Sequence, residues 1–276
     1  REKDEVRHGV TLTHPFALLD CEITFEELSA FGPLHAGFMQ YFDAKPEDAG
    51  FGAHWYDSAS FCRWLSVQSG LSESDQSYAD PESLDKEQYP REPNPQANMF
   101  PRNWPLELGR RGFRLPTESE WEVASRAGAR TAYGYGSDVA LLGQFGWFTE
   151  NSGKDAHPPR ELRPSHRGLF DLHGNLVEWT HDWFGNFSES AVTDSLGAKE
   201  GSSRVFRGGG RGSRAADCRA AIRSGVDPTS RAGNGGFRLA LSFPSGVSSP
   251  AEQGQGAEPA GEGTEGASAE QRPEMP

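Results

Sequence analysis

Apolar residues in this chain come in short bursts, and Gly or Pro closes most of them within a few positions. The chain has 33 Gly and 19 Pro in 276 residues. Gly is costly inside helices and strands, and Pro removes a backbone donor. A long helical bundle is therefore excluded. No strand–helix–strand rhythm appears either, which excludes a doubly wound parallel sheet. What remains is a loop-rich α+β protein with a few short elements and enough length to bury a core.

Three stretches carry helix signals. Thr24 and Glu27 have the capping-box spacing at the start of "TFEEL". "YDSASFCRWLSVQSG" predicts a helix with Asp57 as N-cap, a buried stripe of Phe61, Cys62, Trp64 and Leu65, and a stop at Gly70. "PTESEWEVASRAG" predicts a helix capped by Thr117 with Glu120 three residues on, burying Trp121 and Ala124 and ending at Gly128. Strand patterns occur in "VTLTHPFALL", "RVFRGG" and "GFRLALSF". Residues 69–105 are polar and Pro-rich, and we expect a long loop pinned by Tyr78, Tyr89, Phe100 and Trp104. Residues 244–276 carry six Glu against one Arg and almost no apolar side chain. A disordered acidic tail is expected there, following a domain over 1–243.

The formal net charge of −13 argues against nucleic acid and against an anionic membrane surface as partners. No apolar run has the length of a membrane span. Cys21, Cys62 and Cys218 are odd in number and far apart, which suits a reducing compartment and a cytoplasmic location. The chain opens "REKDEVRHGV" without Met, so a fragment or processed form with a fused upstream domain is expected.

The segments "FRLPTESEWEVASRAG", "GLFDLHGNLVEWTHDWF", "RVFRGGG" and "GFRLAL" follow one another along the chain, preceded by "FALLDCEITFEELSAF" and "HWYDSASFCRWLS". Their identity and order resemble the formylglycine-generating-enzyme family, also called the sulfatase-modifying-factor family. The resemblance spans roughly residues 8–243. It implies that family's fold, related to C-type lectin domains, with small antiparallel sheets and two or three main helices. The family includes copper oxidases of sulfatase Cys, iron-dependent sulfoxide synthases, pigment-maturation proteins, kinase-fused domains and retroelement-diversified binding proteins. Fold alone does not choose among these.

The family's oxidases hold Cu(I) with two Cys thiolates shortly after a "GGS" turn. Here that segment reads "RGGGRGSRAADCRAAIRSG". Ser213 stands where the first Cys is expected, Cys218 falls near the second, and Gly210 replaces the Ser of the turn. A hydroxyl does not replace a thiolate on Cu(I). Copper is therefore not expected, and Cys218 is left as a weak catalytic candidate whose alternative is a small buried apolar residue. The sulfoxide-synthase iron site needs a His triad, whereas the eight His, among them His8, His14, His35 and His54, lie scattered.

The resemblance also implies a structural Ca²⁺ held by the Asp171 and Glu178 carboxylates and the Gly174 and Leu176 carbonyls, a hard-oxygen set suited to that ion. His173 would be a turn residue. The alternative is that Asp171 caps the turn while Glu178 pairs with an Arg. Residues 210–235 contain no Lys, Glu, Gln, Met or Trp, as in the family's hypervariable members, where this segment forms the ligand face; a compositional bias would look the same. Arg211, Ser213, Arg214, Asp217, Arg219 and Arg223 are the candidate ligand-binding residues. They would present guanidinium groups to an acidic peptide or a carboxylate, or else pair with the protein's own acids. Arg114 and Arg238 are expected to be structural. The reading is a non-catalytic protein- or ligand-binding module of a larger bacterial protein, with an oxygen-dependent enzyme of the family as the alternative.

Overall fold

A computed structural model describes residues 8–32, 40, 42–187 and 190–243. Residues 244–276, where the tail is expected, lie outside the described residues.

Three α-helices stand among the described residues: α1 (Phe25–Phe31), α2 (Trp55–Gln68) and α3 (Glu118–Arg126). Both predicted Thr–Glu capping boxes form, at Thr24/Glu27 and Thr117/Glu120. The start of α2 differs from expectation. Its N-cap is His54, whose Nδ1 accepts from the Asp57 amide at 2.9 Å, and Asp57 sits three residues in as the reciprocal partner. A neutral imidazole with its proton on Nε2 has that lone pair available, so a His can cap as a Ser or Asp does. Phe61 and Cys62 are buried as predicted, while Trp64 and Leu65 pack half-buried against the core.

The strands are short. β1 (Val10–Thr11) pairs in parallel with β5 (Val192–Thr193). β2 (Phe16–Leu18), β3 (Phe113–Arg114) and β9 (Ala240–Ser242) form an antiparallel sheet in the order β2-β9-β3. β4 (Val177–Trp183), β6 (Arg204–Arg207), β7 (Arg223–Val226) and β8 (Gly235–Gly236) form the largest sheet, in the order β7-β6-β4-β8. The expected antiparallel pairing holds for β2-β9-β3 and β7-β6-β4; β4 with β8 is parallel, as is β1 with β5. Among the described residues no helix is long and apolar enough to cross a membrane.

Aromatic rings build much of the core. Trp55, Tyr56 and Phe61 of α2 pack with Trp179 of β4, Phe206 of β6 and Phe237. The 69–105 loop is tied down by three of its four aromatics. Tyr78 and Trp104 are buried, and Phe100 stacks on Tyr56 at 5.6 Å, whereas Tyr89 is half-buried.

The α3 cap is a test of this local logic. Thr117 Oγ1 accepts from the Glu120 amide at 3.1 Å, and Glu120 is itself bound to Arg114. Thr117→Ala is expected to lower unfolding free energy by about 1–2 kcal/mol, with Thr117→Ser near wild type. An unchanged urea midpoint for the Ala variant would contradict the cap.

Candidate functional site

The stretch from Gly168 to Trp179 makes a series of tight turns, with positive φ at Gly168, Asp171, Gly174 and Asn175. Gly174 is required sterically: a Cβ there would lie 2.3 Å from the Trp147 carbonyl oxygen. Asn175 ties this loop to its surroundings. Its Nδ2 donates to Glu22 Oε2 at 2.6 Å, its Oδ1 accepts from the His157 amide at 3.0 Å, and its own amide donates to the Trp147 carbonyl at 2.7 Å. Glu22 also accepts from the Leu176 amide. Burial holds the Glu22 carboxyl well above the usual carboxylate range, with the nearby Asp171 and Glu178 charges adding to the rise.

Glu178 is fully buried, and both its oxygens are engaged. Arg238 Nη2 donates to Oε1 at 2.6 Å, Arg238 Nε donates to Oε2 at 2.7 Å, and the Trp121 indole donates to Oε2 at 2.8 Å. Asp171 accepts from the Arg160 amide through Oδ2, while Oδ1 is buried with no partner. Burial pushes the Asp171 carboxyl up to about 6.

Of the expected calcium donors, Asp171, Gly174, Leu176 and Glu178, the Glu178 carboxylate is committed to Arg238 and the Trp121 indole, and Asp171 Oδ1 has no protein partner. Ca²⁺ takes six to eight oxygen ligands. Here Glu22 and Glu178 are committed to protein donors, and only Asp171 Oδ1 among the three carboxylates lacks a partner. Among the described residues no group of three or more His, Cys, Asp or Glu is placed to hold a metal ion. The cation that neutralises Glu178 is a guanidinium.

His173 links two loops as a neutral ring. Nε2 accepts from the Gly134 amide at 3.0 Å, so Nδ1 donates to the Cys218 carbonyl at 2.9 Å. Burial pulls its pKa down to about 4. Cys218 itself is buried beside Tyr133, Leu142 and Phe148, and burial pushes its thiol up to about 12. A thiol so placed is protonated at neutral pH and is a poor nucleophile or metal ligand. Ser213 closes a tight turn: its hydroxyl accepts from the Gly210 amide at 3.0 Å, and its carbonyl accepts from the Thr149 amide.

The predicted arginine face divides in two. Arg223 is buried and turned inward on β7, in a two-point pair with Glu118 at 2.6 and 2.7 Å. Its expected place on a ligand face is corrected accordingly: the β7 pleat directs its side chain into the protein. Arg211 turns back to the Lys154 and Gly233 carbonyls and over the Phe51 ring at 4.5 Å. Outward on the loop stand Arg214, in a pair with Asp217 at 2.8 Å, and the half-buried Arg219 and Ser213. The outward face thus carries both signs of charge. Arg114 and Arg238 are internal, paired with Glu120 and Glu178. Sequence reasoning missed Glu22, Asn175 and the Trp121 indole as members of this site, because their partners lie up to 154 residues away.

Residues 1–243 match the family profile described as the sulfatase-modifying factor enzyme 1-like domain. A formylglycine-generating enzyme of Streptomyces coelicolor is 38% identical over 146 residues, covering 47% of this chain and 46% of that protein. The serine/threonine-protein kinase pkn1 of Chlamydia caviae is 36% identical over 134 residues, covering 47% of this chain and 21% of the kinase. The match therefore spans less than half the length of either relative. Among solved structures, Treponema denticola variable protein 1 superposes with a TM-score of 0.72 at 26% identity, covering 87% of this chain and 90% of that one.

All three cysteines are buried; burial pushes the thiols of Cys21 and Cys218 up to about 12 and holds that of Cys62 well above the usual thiol range. Iodoacetamide at pH 8 is expected to leave the native protein unlabelled and to label three thiols once it is unfolded in urea. Rapid native labelling of Cys218, read by peptide mass, would contradict the buried-thiol assignment.

Proposed function

The chain belongs to the sulfatase-modifying factor enzyme 1-like family, and on that premise we propose that it is a non-catalytic ligand- or protein-binding domain. One observation carries the reading. At the position where the family's oxidases carry the first of their two Cys stands the Ser213 hydroxyl, spent on capping a turn, while Cys218, near the position of the second, is packed beside Tyr133, Leu142 and Phe148. A two-thiolate site cannot be assembled from one buried thiol and one hydroxyl.

The likeness to a variable protein supports the binding role. So does the restricted composition of residues 210–235, which omits Lys, Glu, Gln, Met and Trp. The surface that would meet a ligand is the short turn carrying Ser213, Arg214, Asp217 and Arg219, held on a rigid base by Arg211 and Arg223. Its mixed charge suits a protein or peptide partner carrying both signs. The alignment with part of a protein kinase supports a place as one module of a larger bacterial protein.

The competing reading, an oxygen-dependent oxidase, is favoured by the 38% identity to a formylglycine-generating enzyme. The two separate in one experiment. The protein is incubated with Cu(I), O₂ and a peptide carrying a Cys-x-Pro-x-Arg motif, and the peptide mass is followed. We expect no change beyond a no-protein control. Formylglycine formed in proportion to protein would establish the oxidase and overturn the binding-domain reading.

A further inference from the structure

The turn from Arg163 to Gly168 differs in charge from the surface around it. Acids outnumber bases by 40 to 27 in this chain, and several exposed arginines each sit on one. Arg111 lies 2.9 Å from Asp75, Arg160 lies 2.5 Å from Asp20, and Arg214 lies 2.8 Å from Asp217. Arg163, His166 and Arg167 are exposed as well. Among the described residues, no ion pair or hydrogen bond engages any of their side chains. Glu161, the nearest acid in sequence, faces the His157 ring at 3.6 Å instead. Asp171 lines a cleft with Arg163, but the charges that bear on its carboxyl are those of Arg238, Glu178 and Glu161. Three basic side chains within five residues are therefore left to solvent on an acidic protein.

The backbone that carries them is fixed. The Ser165 amide donates to the Leu169 carbonyl at 2.7 Å, the Gly168 amide donates to the Ser165 carbonyl at 2.9 Å, and the Ser165 hydroxyl accepts from the Leu169 amide at 3.2 Å. The Arg163 amide donates to the Gln144 carbonyl at 2.8 Å. Leu169 is buried against Trp121 and Ala124 of α3. A partner docking here would order side chains but not the loop, which lowers the cost of binding. At physiological salt, charges beyond about 8 Å are largely screened, so an anionic group meets the local cations rather than the net charge. Two guanidinium groups and an imidazole are too few for a phosphate backbone. An extended acidic peptide suits them better: its alternate side chains lie on one face about 7 Å apart, and a guanidinium takes a carboxylate at two points. We propose that the turn from Arg163 to Gly168 is a docking surface for an acidic linear peptide, with its carboxylates on Arg163 and Arg167 and a hydrogen bond from the His166 ring. It uses none of the residues of the 213–219 turn, and neither reading falls with the other.

The test is fluorescence polarisation of a dye-labelled peptide of alternating Glu and Ser, titrated with the full chain. The same peptide with Gln for Glu is the control. Saturable binding of the Glu peptide is expected, weakening as salt rises from about 50 to about 200 mM, with no binding of the Gln peptide. Arg163→Ala and Arg167→Ala should each cost about three- to fivefold in affinity, and the double variant about tenfold. Both are exposed changes and should leave the melting temperature alone, so a loss of binding is not a loss of fold. Arg214→Ala, on the other turn, should bind as wild type does. Absence of saturable binding of the Glu peptide would overturn the proposal. So would equal binding of the Gln peptide, an affinity indifferent to the double variant, or a loss caused by Arg214→Ala alone. A phosphoserine peptide that binds where the Glu peptide does not would overturn it too, by assigning the surface to phosphate.

Discussion

One buried guanidinium joins most of the pieces of this fold. Arg238 donates to both oxygens of Glu178 on β4, to the Phe170 carbonyl in the turn that follows Gly168, and to the Leu19 carbonyl just after β2. The indole of Trp121 brings α3 to the same carboxylate. Four segments far apart in sequence meet on a single ion pair. A chain whose strands run two to seven residues has little backbone ladder to hold it. Breaking such a pair by removing one partner strands a buried charge, whereas replacing both partners is often tolerated. We read the pair as a device that enforces one arrangement of the loops rather than as a large net source of stability.

The same construction recurs across the three- and four-stranded sheets. Arg114 grips Glu120 at the start of α3, Arg223 grips Glu118, and Arg207 reaches Glu118 and Glu122. Arg204 is sandwiched between Trp55 and Trp183 at 3.8 and 3.6 Å from the ring centroids. The planar guanidinium suits these two-point and stacked contacts in a way an ammonium does not. The arginines that look inward fix the body, and Arg214 and Asp217 stand outward on the turn between Ser213 and Arg219.

What could be read from the sequence was the local part. Thr24/Glu27 and Thr117/Glu120 act across three residues, and their spacing is the mechanism. His54 was missed because an imidazole caps a helix only in the right tautomer, which the sequence does not state. The stretch 168–179 was recognisable as a tied loop with two acids, but Glu178's partner lies 60 residues downstream. The stretch by itself does not show which guanidinium engages Glu178. Arg223 was misplaced for a related reason. A strand of four residues, with the burial pattern of β7 mixed along its length, carries too weak an alternation to say which side chains point in.

The central claim is that a protein guanidinium, and not a metal ion, neutralises Glu178. It is tested most directly by urea unfolding of wild type and Arg238→Met, each in chelator and in millimolar calcium. The account predicts that the variant loses about 3–5 kcal/mol and that calcium leaves both curves where they are. Calcium that stabilises the wild type, or restores most of what Arg238→Met loses, would contradict it.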